Sequence, residues 1–193
     1  MSCLCTKCTV KNCDKKKKLQ HRLTGKRNRN SGRYAELKLL KLFEKWGIEV
    51  HRTIASGQLK SIADIIDTQK ELFISDFYSD DIVKGQTIRI ENKKRQYKVF
   101  KKYYEKCDKT IVYIKEFCYI MTQDTFANIL TSNNWSLDFT VLDDTGNKAL
   151  HDFFEQDNAD IVTIISPDDN SNRYLDFLFC IKENIFKKMI GAI

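Results

Sequence analysis

A single proline, Pro167, and seven glycines are the strong chain breakers among 193 residues. That scarcity excludes a collagen-like or Gly/Pro-rich low-complexity chain and lets long segments run unbroken. Apolar runs stay well short of the roughly eighteen residues a membrane span requires, so no membrane partner is expected. The first residues lack the apolar core of a secretory signal. Cysteine is not scarce, but its count of seven is odd and four of the seven fall within the first thirteen residues. This fits a reducing compartment and a metal site better than a disulfide framework, so a cytoplasmic protein is expected.

What is present is enough for a core. Hydrophobic residues make up 42%, aromatics 11% and charged residues 31%, a mixture that excludes disorder of the whole chain. The length suits one domain, or one domain with an appendage. The net charge of +7 conceals a gradient: residues 1–33 carry +10, residues 34–110 carry +4 and residues 111–193 carry −7. A basic first half beside an acidic last third points to a polyanion engaged at one end. A solubilising tail is the plainer reading of the same charge.

Residues 1–33 read as a basic arm with little periodicity, holding the cysteine cluster and the run Lys15 to Lys18. A helix is expected over 34–46, with Ser31 available to cap it and Gly47 to end it. Its apolar stripe is Leu39, Leu40 and Phe43, flanked by Leu42 and Trp46. At 100° per residue Glu36 falls within about 40° of Leu40 and about 20° of Phe43, on the face that should be buried. An unpaired carboxylate there is costly. Strands are expected over 48–53, 62–66 and 87–93, with a loop or hairpin over 67–86. A helix over 95–107, strands over 110–114 and 117–121, and a helix capped near Thr122 follow. This αβββαββα order predicts an α/β domain of about 110 residues with a mixed sheet between helices. Beyond it, 133–193 reads as a small extension: strands near 139–142 and 161–165, a helix near 150–156, and one long element over 174–189. No chemistry is apparent in that segment.

Three carboxylates and a lysine stand out by placement. Glu36 faces inward on the first helix, Asp64 interrupts an apolar run, and Glu91 and Lys93 share one face of an alternating strand. Such a set can gather oxygen ligands around Mg²⁺, a hard ion that accepts carboxylates, a backbone carbonyl and water. Lys93 beside it would orient a water and offset charge in phosphodiester hydrolysis. Taken singly, Glu91-Asn92-Lys93 also reads as a solvated strand face and Glu36 as half of an ion pair. Lys26, Arg27, Arg29 and Arg33 before the helix, and Lys94, Arg95 and Lys98 after the strand, form a candidate DNA-phosphate track. Cys3, Cys5, Cys8 and Cys13 could supply four thiolates to Zn²⁺, with reduced free thiols the alternative. Cys107, Cys118 and Cys180 lie in apolar contexts and read as core.

The run Asn30-Ser31-Gly32-Arg33-Tyr34-Ala35-Glu36, followed by Gly47, Arg52, Ser56-Gly57, Ala63-Asp64 and Ile90-Glu91-Asn92-Lys93, resembles the archaeal and phage Holliday-junction resolvases of the PD-(D/E)XK nuclease superfamily. The resemblance covers about residues 24–132, leaving 1–23 as a Cys-rich arm, a possible zinc knuckle, and 133–193 as an acidic extension. It implies a restriction-endonuclease-like core and a homodimeric, Mg²⁺-dependent endonuclease (Mn²⁺ substituting) that cuts branched DNA by paired nicks, in a microbial cell or a phage-infected host. By position it makes Glu36, Asp64 and Glu91 metal ligands together with the Asn92 carbonyl. Lys93 becomes the catalytic lysine, and Arg52 and Ser56 contacts near the scissile phosphate. Ala63 stands where the superfamily's proline would be, and the interval from Asp64 to Glu91 is long. It contains Asp76, Asp80 and Asp81, any of which is an alternative to Asp64. A less selective nuclease of this fold, or a zinc-containing adaptor that binds without cutting, are the rival readings.

Overall fold

From Val10 to Trp46 the chain has no proline and is rich in Lys, Leu, Arg and Glu, which lose little rotamer freedom in a helix. It forms a single helix, α1 (Val10–Trp46), 37 residues and about 55 Å long. The structure, a computed structural model, describes residues 10–53, 75–108, 110–132, 138–144, 147–156, 158–167 and 174–192, with α1 side chains described over 17–25 and from 31 onward. The expectation that the helix begins at 34 under a Ser31 cap is therefore corrected: Ser31 sits inside α1, because nothing upstream of it breaks the helix. Its Oγ instead shares a 2.9 Å hydrogen bond with the Tyr174 hydroxyl and accepts from Lys94 Nζ. The C-terminus falls where expected. Gly47 adopts a positive φ of 71°, and Ile48 N–H returns to the Phe43 carbonyl at 3.1 Å.

After α1 come β1 (His51–Arg52), β2 (Phe77–Val83), β3 (Gln86–Lys94), α2 (Tyr97–Cys107), β4 (Ile111–Ile114), β5 (Cys118–Thr122), α3 (Gln123–Thr131), β6 (Phe139–Leu142), α4 (Lys148–Gln156), β7 (Ile161–Ile165), β8 (Leu178–Lys182) and α5 (Glu183–Met189). The strand expected over 48–53 shrinks to two residues, and the one over 62–66 lies outside the described residues. The 67–86 segment contributes β2, joined to β3 through Lys84 and Gly85, the latter at φ 78°. The long element expected over 174–189 divides into β8 and α5, because Leu178–Lys182 is paired on both sides, by β5 and by β7. Thr122 caps α3 as anticipated, accepting from the Thr125 N–H at 3.3 Å.

The eight strands form one mixed sheet in the order β1-β2-β3-β7-β8-β5-β4-β6. Residues 133–193 do not stand apart as an extension: β7 and β8 occupy the middle of the sheet, with β7 parallel to β3. Every residue of β7 is buried, as expected of a strand covered on both faces. One face carries Ala35, Leu39 and Phe43 of α1 with Phe126 of α3 and Phe186 of α5. The opposite face carries Phe100 and Tyr103 of α2 with Leu150, Phe153 and Phe154 of α4. The result is a three-layer α/β architecture.

Candidate active site

Alternation on β3 buries Ile88 and Ile90 against the α1 layer and turns Glu91 and Lys93 to the other side. Phe77 pairs with Ile90 across the β2–β3 ladder. One residue further out, Asp76 faces Glu91 and is bonded to the Glu91–Asn92 segment in both directions. The Asp76 N–H donates to Glu91 Oε2 at 3.1 Å, and the Asn92 N–H donates to Asp76 Oδ2 at 3.1 Å. Two carboxylates thus take over from the main-chain ladder where the strands part. Lys93 Nζ donates to Glu91 Oε1 at 2.7 Å, so both oxygens of a carboxylate that is 6% exposed are engaged.

Thr53 holds the approach to this corner. Its N–H and its hydroxyl both donate to the Asp76 carbonyl, at 3.1 and 3.0 Å. Arg52, one residue earlier, donates from its guanidinium to Glu36 Oε2. Glu36 is therefore mostly buried, as its helical position predicts, and is carried into the neighbourhood of Asp76. Burial raises its pKa first, the Asp76 charge raises it further, and Arg52 and Arg33 only partly offset them.

Of the residues expected at the site, Glu36 is paired with Arg52 and Glu91 with Lys93. Asp76 is the link between the two pairs, bonded to Glu91 and close enough to Glu36 to raise its pKa. Asp64 and Ser56 lie outside the described residues, as do Cys3, Cys5 and Cys8, and the side chain of Cys13 is not described. Among the described residues, Asp76 is an acid bonded to Glu91, through its N–H. Asp80 and Asp81 are engaged elsewhere, accepting from Thr87 Oγ1 at 2.5 Å and from the Glu49 N–H at 2.7 Å. Arg52 binds Glu36 here. Asn92 offers its side chain to Thr163, whose hydroxyl donates to Asn92 Oδ1 at 3.1 Å. Among the described residues, no three Asp, Glu, His or Cys side chains already converge as a metal-holding group. The donors available are nonetheless hard oxygens, the ligand type that a divalent ion such as Mg²⁺ takes.

Lys94, Arg95 and Lys98 follow directly. Lys94 and Arg95, with Ser31, Gly32, Gln96 and Pro167, line a cleft of about 570 Å³, while Lys98 is exposed on α2. Lys94 Nζ lies 4.9 Å from the centre of the Tyr174 ring. Burial would raise the Tyr174 pKa, but hydrogen bonding from Lys94 and Ser31 outweighs it and the phenol is lowered. Arg33 is exposed on α1; the side chains of Lys26, Arg27 and Arg29 are not described.

The segment 133–193, in which the sequence shows no chemistry, braces this site. Phe153 of α4 lies 5.7 Å below Lys93 Nζ and 4.6 Å from the Arg95 guanidinium. Asp160, at the foot of β7, accepts from both the main chain and the guanidinium of Arg89 at 3.0 and 3.1 Å. These partners lie about sixty to seventy residues from the groups they hold, and no local pattern marks them. Cys107, Cys118 and Cys180 are buried in the α2/α4 core, as expected. No protein-family model and no curated protein matches the chain.

Proposed function

We propose that the protein is a metal-dependent DNA endonuclease that hydrolyses phosphodiesters at the corner formed by Glu36, Asp76, Glu91 and Lys93. The observation that carries this reading is the Asp76–Glu91 contact, in which the Asp76 N–H donates to Glu91 and the Asp76 carboxylate accepts from Asn92, with Lys93 on Glu91 and Glu36 near Asp76. Acids massed in a mostly buried corner are destabilising unless a cation completes them. A bound Mg²⁺ would supply Lewis-acid stabilisation of charge building on the phosphate. Glu36, Asp76 and Glu91 are the residues that would hold it.

The chain's own groups do the rest. Lys93 is placed to donate to a phosphate oxygen or to orient the attacking water. Water attacks phosphorus in line and gives up a proton to solvent; the bond to the leaving sugar oxygen breaks and that oxygen takes a proton. Arg52 and the cations of the Lys94–Arg95 cleft hold the flanking phosphates. The resemblance in the sequence directs the substrate toward branched duplex DNA and a homodimer with one site for each strand.

The test is cleavage of labelled four-way junction, flap and linear duplex by the purified protein in Mg²⁺ or EDTA, with Glu91→Ala alongside. Paired nicks confined to the junction and lost with EDTA and with the variant are expected. Cutting of all three substrates would leave a less selective nuclease. Tight binding without cutting under Mg²⁺ or Mn²⁺ would overturn the enzyme and leave an adaptor.

A further inference from the structure

Among the described residues, α1 enters the hydrophobic core from Ala35 onward. Where its side chains are described ahead of Ser31, over 17–25, the helix shows no buried residue. All eight residues from Lys17 to Thr24 are exposed, including Leu19 and Leu23 at 59% and 51%. Helical stability in proteins normally comes from packing an amphipathic face, and a bare helix is marginal in water. Here charge worsens the position. Residues 10–33 hold ten Lys and Arg against Asp14 alone. The spacing sets Lys18 one turn from Arg22, and Arg22 one turn from Lys26, as like-charge neighbours.

We infer that this half of α1 is a helical second contact for duplex DNA, laid along the duplex beyond the phosphodiester that the site addresses. The inference rests on the reading of the site as one that acts on DNA. A polyanion is the partner that turns the helix's self-repulsion into attraction. A second copy of the chain would set lysines against lysines. An anionic membrane fits less well, because Leu19 and Leu23 form a stripe two residues long and an interfacial helix needs a broad apolar face. The reach follows from helix geometry. Lys17 lies nineteen residues from Glu36, about 28 Å along the axis, which matches about eight base pairs at 3.4 Å each.

The experiment is fluorescence anisotropy of the full-length protein, without divalent metal, on duplexes from 8 to 32 base pairs at several salt concentrations. Cleavage is measured in parallel with Mg²⁺. Three variants accompany the wild type. Lys17→Gln/Lys18→Gln/Arg22→Gln removes charge, Gly25→Pro breaks the helix with every charge kept, and Gly25→Ala keeps both, open space surrounding the Gly25 Cβ direction. The triple variant should lower the slope of log K against log salt by about 2.7. It and Gly25→Pro should stop gaining affinity about four base pairs earlier than the wild type, the reach of the helix from Lys17 to Gly25, and Gly25→Ala should match the wild type. Cleavage with an unchanged slope in the triple variant would overturn the inference and leave the nuclease standing. A lowered slope in a protein that never cuts would do the reverse. A wild-type length dependence in Gly25→Pro, or charge-dependent binding to phosphatidylserine vesicles in preference to duplex, would also overturn it.

Discussion

Replacing Asp76 and Asp64 separately by asparagine decides which acid completes the site. The Asp76 carboxylate accepts from the Asn92 N–H, while its own N–H serves Glu91. Asparagine preserves the main-chain bond and offers Oδ1 to Asn92, so only the charge is lost. A hydrogen bond to a charged group contributes about 1.5–3 kcal/mol and a neutral one about 0.5–1.5 kcal/mol. The folding cost of Asp76→Asn is then about 1 kcal/mol, partly returned because Glu36 loses a repulsive neighbour. For a chain of this length that is about 2–4 °C in melting temperature. Catalysis should suffer far more. Loss of a preorganised group that stabilises transition-state charge costs about 10²–10³ in rate, or about 2.7–4 kcal/mol. Single-turnover cleavage of a four-way junction with Mg²⁺, beside thermal melting, separates the two effects. Asp76→Asn should fold and fail to cut, while Asp64→Asn should cut within a few-fold of the wild type. An active Asp76→Asn beside a dead Asp64→Asn would refute the assignment.

Further outcomes follow from the same structure. Glu36→Gln should melt above the wild type at pH 7–8. The raised pKa means that ionisation costs stability as pH rises through it, so the advantage should vanish below the usual carboxylate value of 4.5, and added Mg²⁺ should narrow it; an equal or lower melting temperature at pH 8 would contradict this. Phe153→Leu removes the ring beneath Lys93 and Arg95 and trims a buried core residue; it should cost about 1–2 kcal/mol of stability by chemical denaturation, and single-turnover cleavage should fall by about 2- to 30-fold in protein that is still folded. Asp144 accepts from Lys102 and Tyr103, and these bonds outweigh its burial to lower its pKa. Asp144→Asn should therefore cost about 1–2 kcal/mol at neutral pH by chemical denaturation, a difference that disappears as acid protonates the wild-type carboxylate. Burial pushes the Cys107 thiol up to about 12 and raises Cys118 and Cys180 as well, so all three should resist alkylation at pH 8 until denaturant is added, as read by mass spectrometry.

The local pattern of the chain determined much of this protein. The 3.6-residue spacing of Leu39 and Phe43 set the buried stripe of α1 and carried Glu36 onto its inner face, where the side chain is mostly buried. Alternation along β3 put Glu91 and Lys93 on one side, and they are hydrogen-bonded there. Gly47, Thr122 and the five buried residues of β7 were equally legible, because caps and apolar runs are local signals. The start of α1 was not. Lysine-rich helix and lysine-rich coil look alike when no apolar stripe marks a buried side, and only the absence of proline favoured the helix. The place of 133–193 was not legible either. A strand buried on both faces, such as β7, reads the same at the centre of a sheet as in a separate unit, and insertion between β3 and β5 is a property of long-range pairing. The acidic partner of Glu91 shows the limit most plainly. Sequence favoured Asp64, with Asp76, Asp80 and Asp81 as alternatives, and Asp64 lies outside the described residues. Register alone sets Asp76 opposite Glu91, because pairing Phe77 with Ile90 leaves the next residue of each strand facing the other.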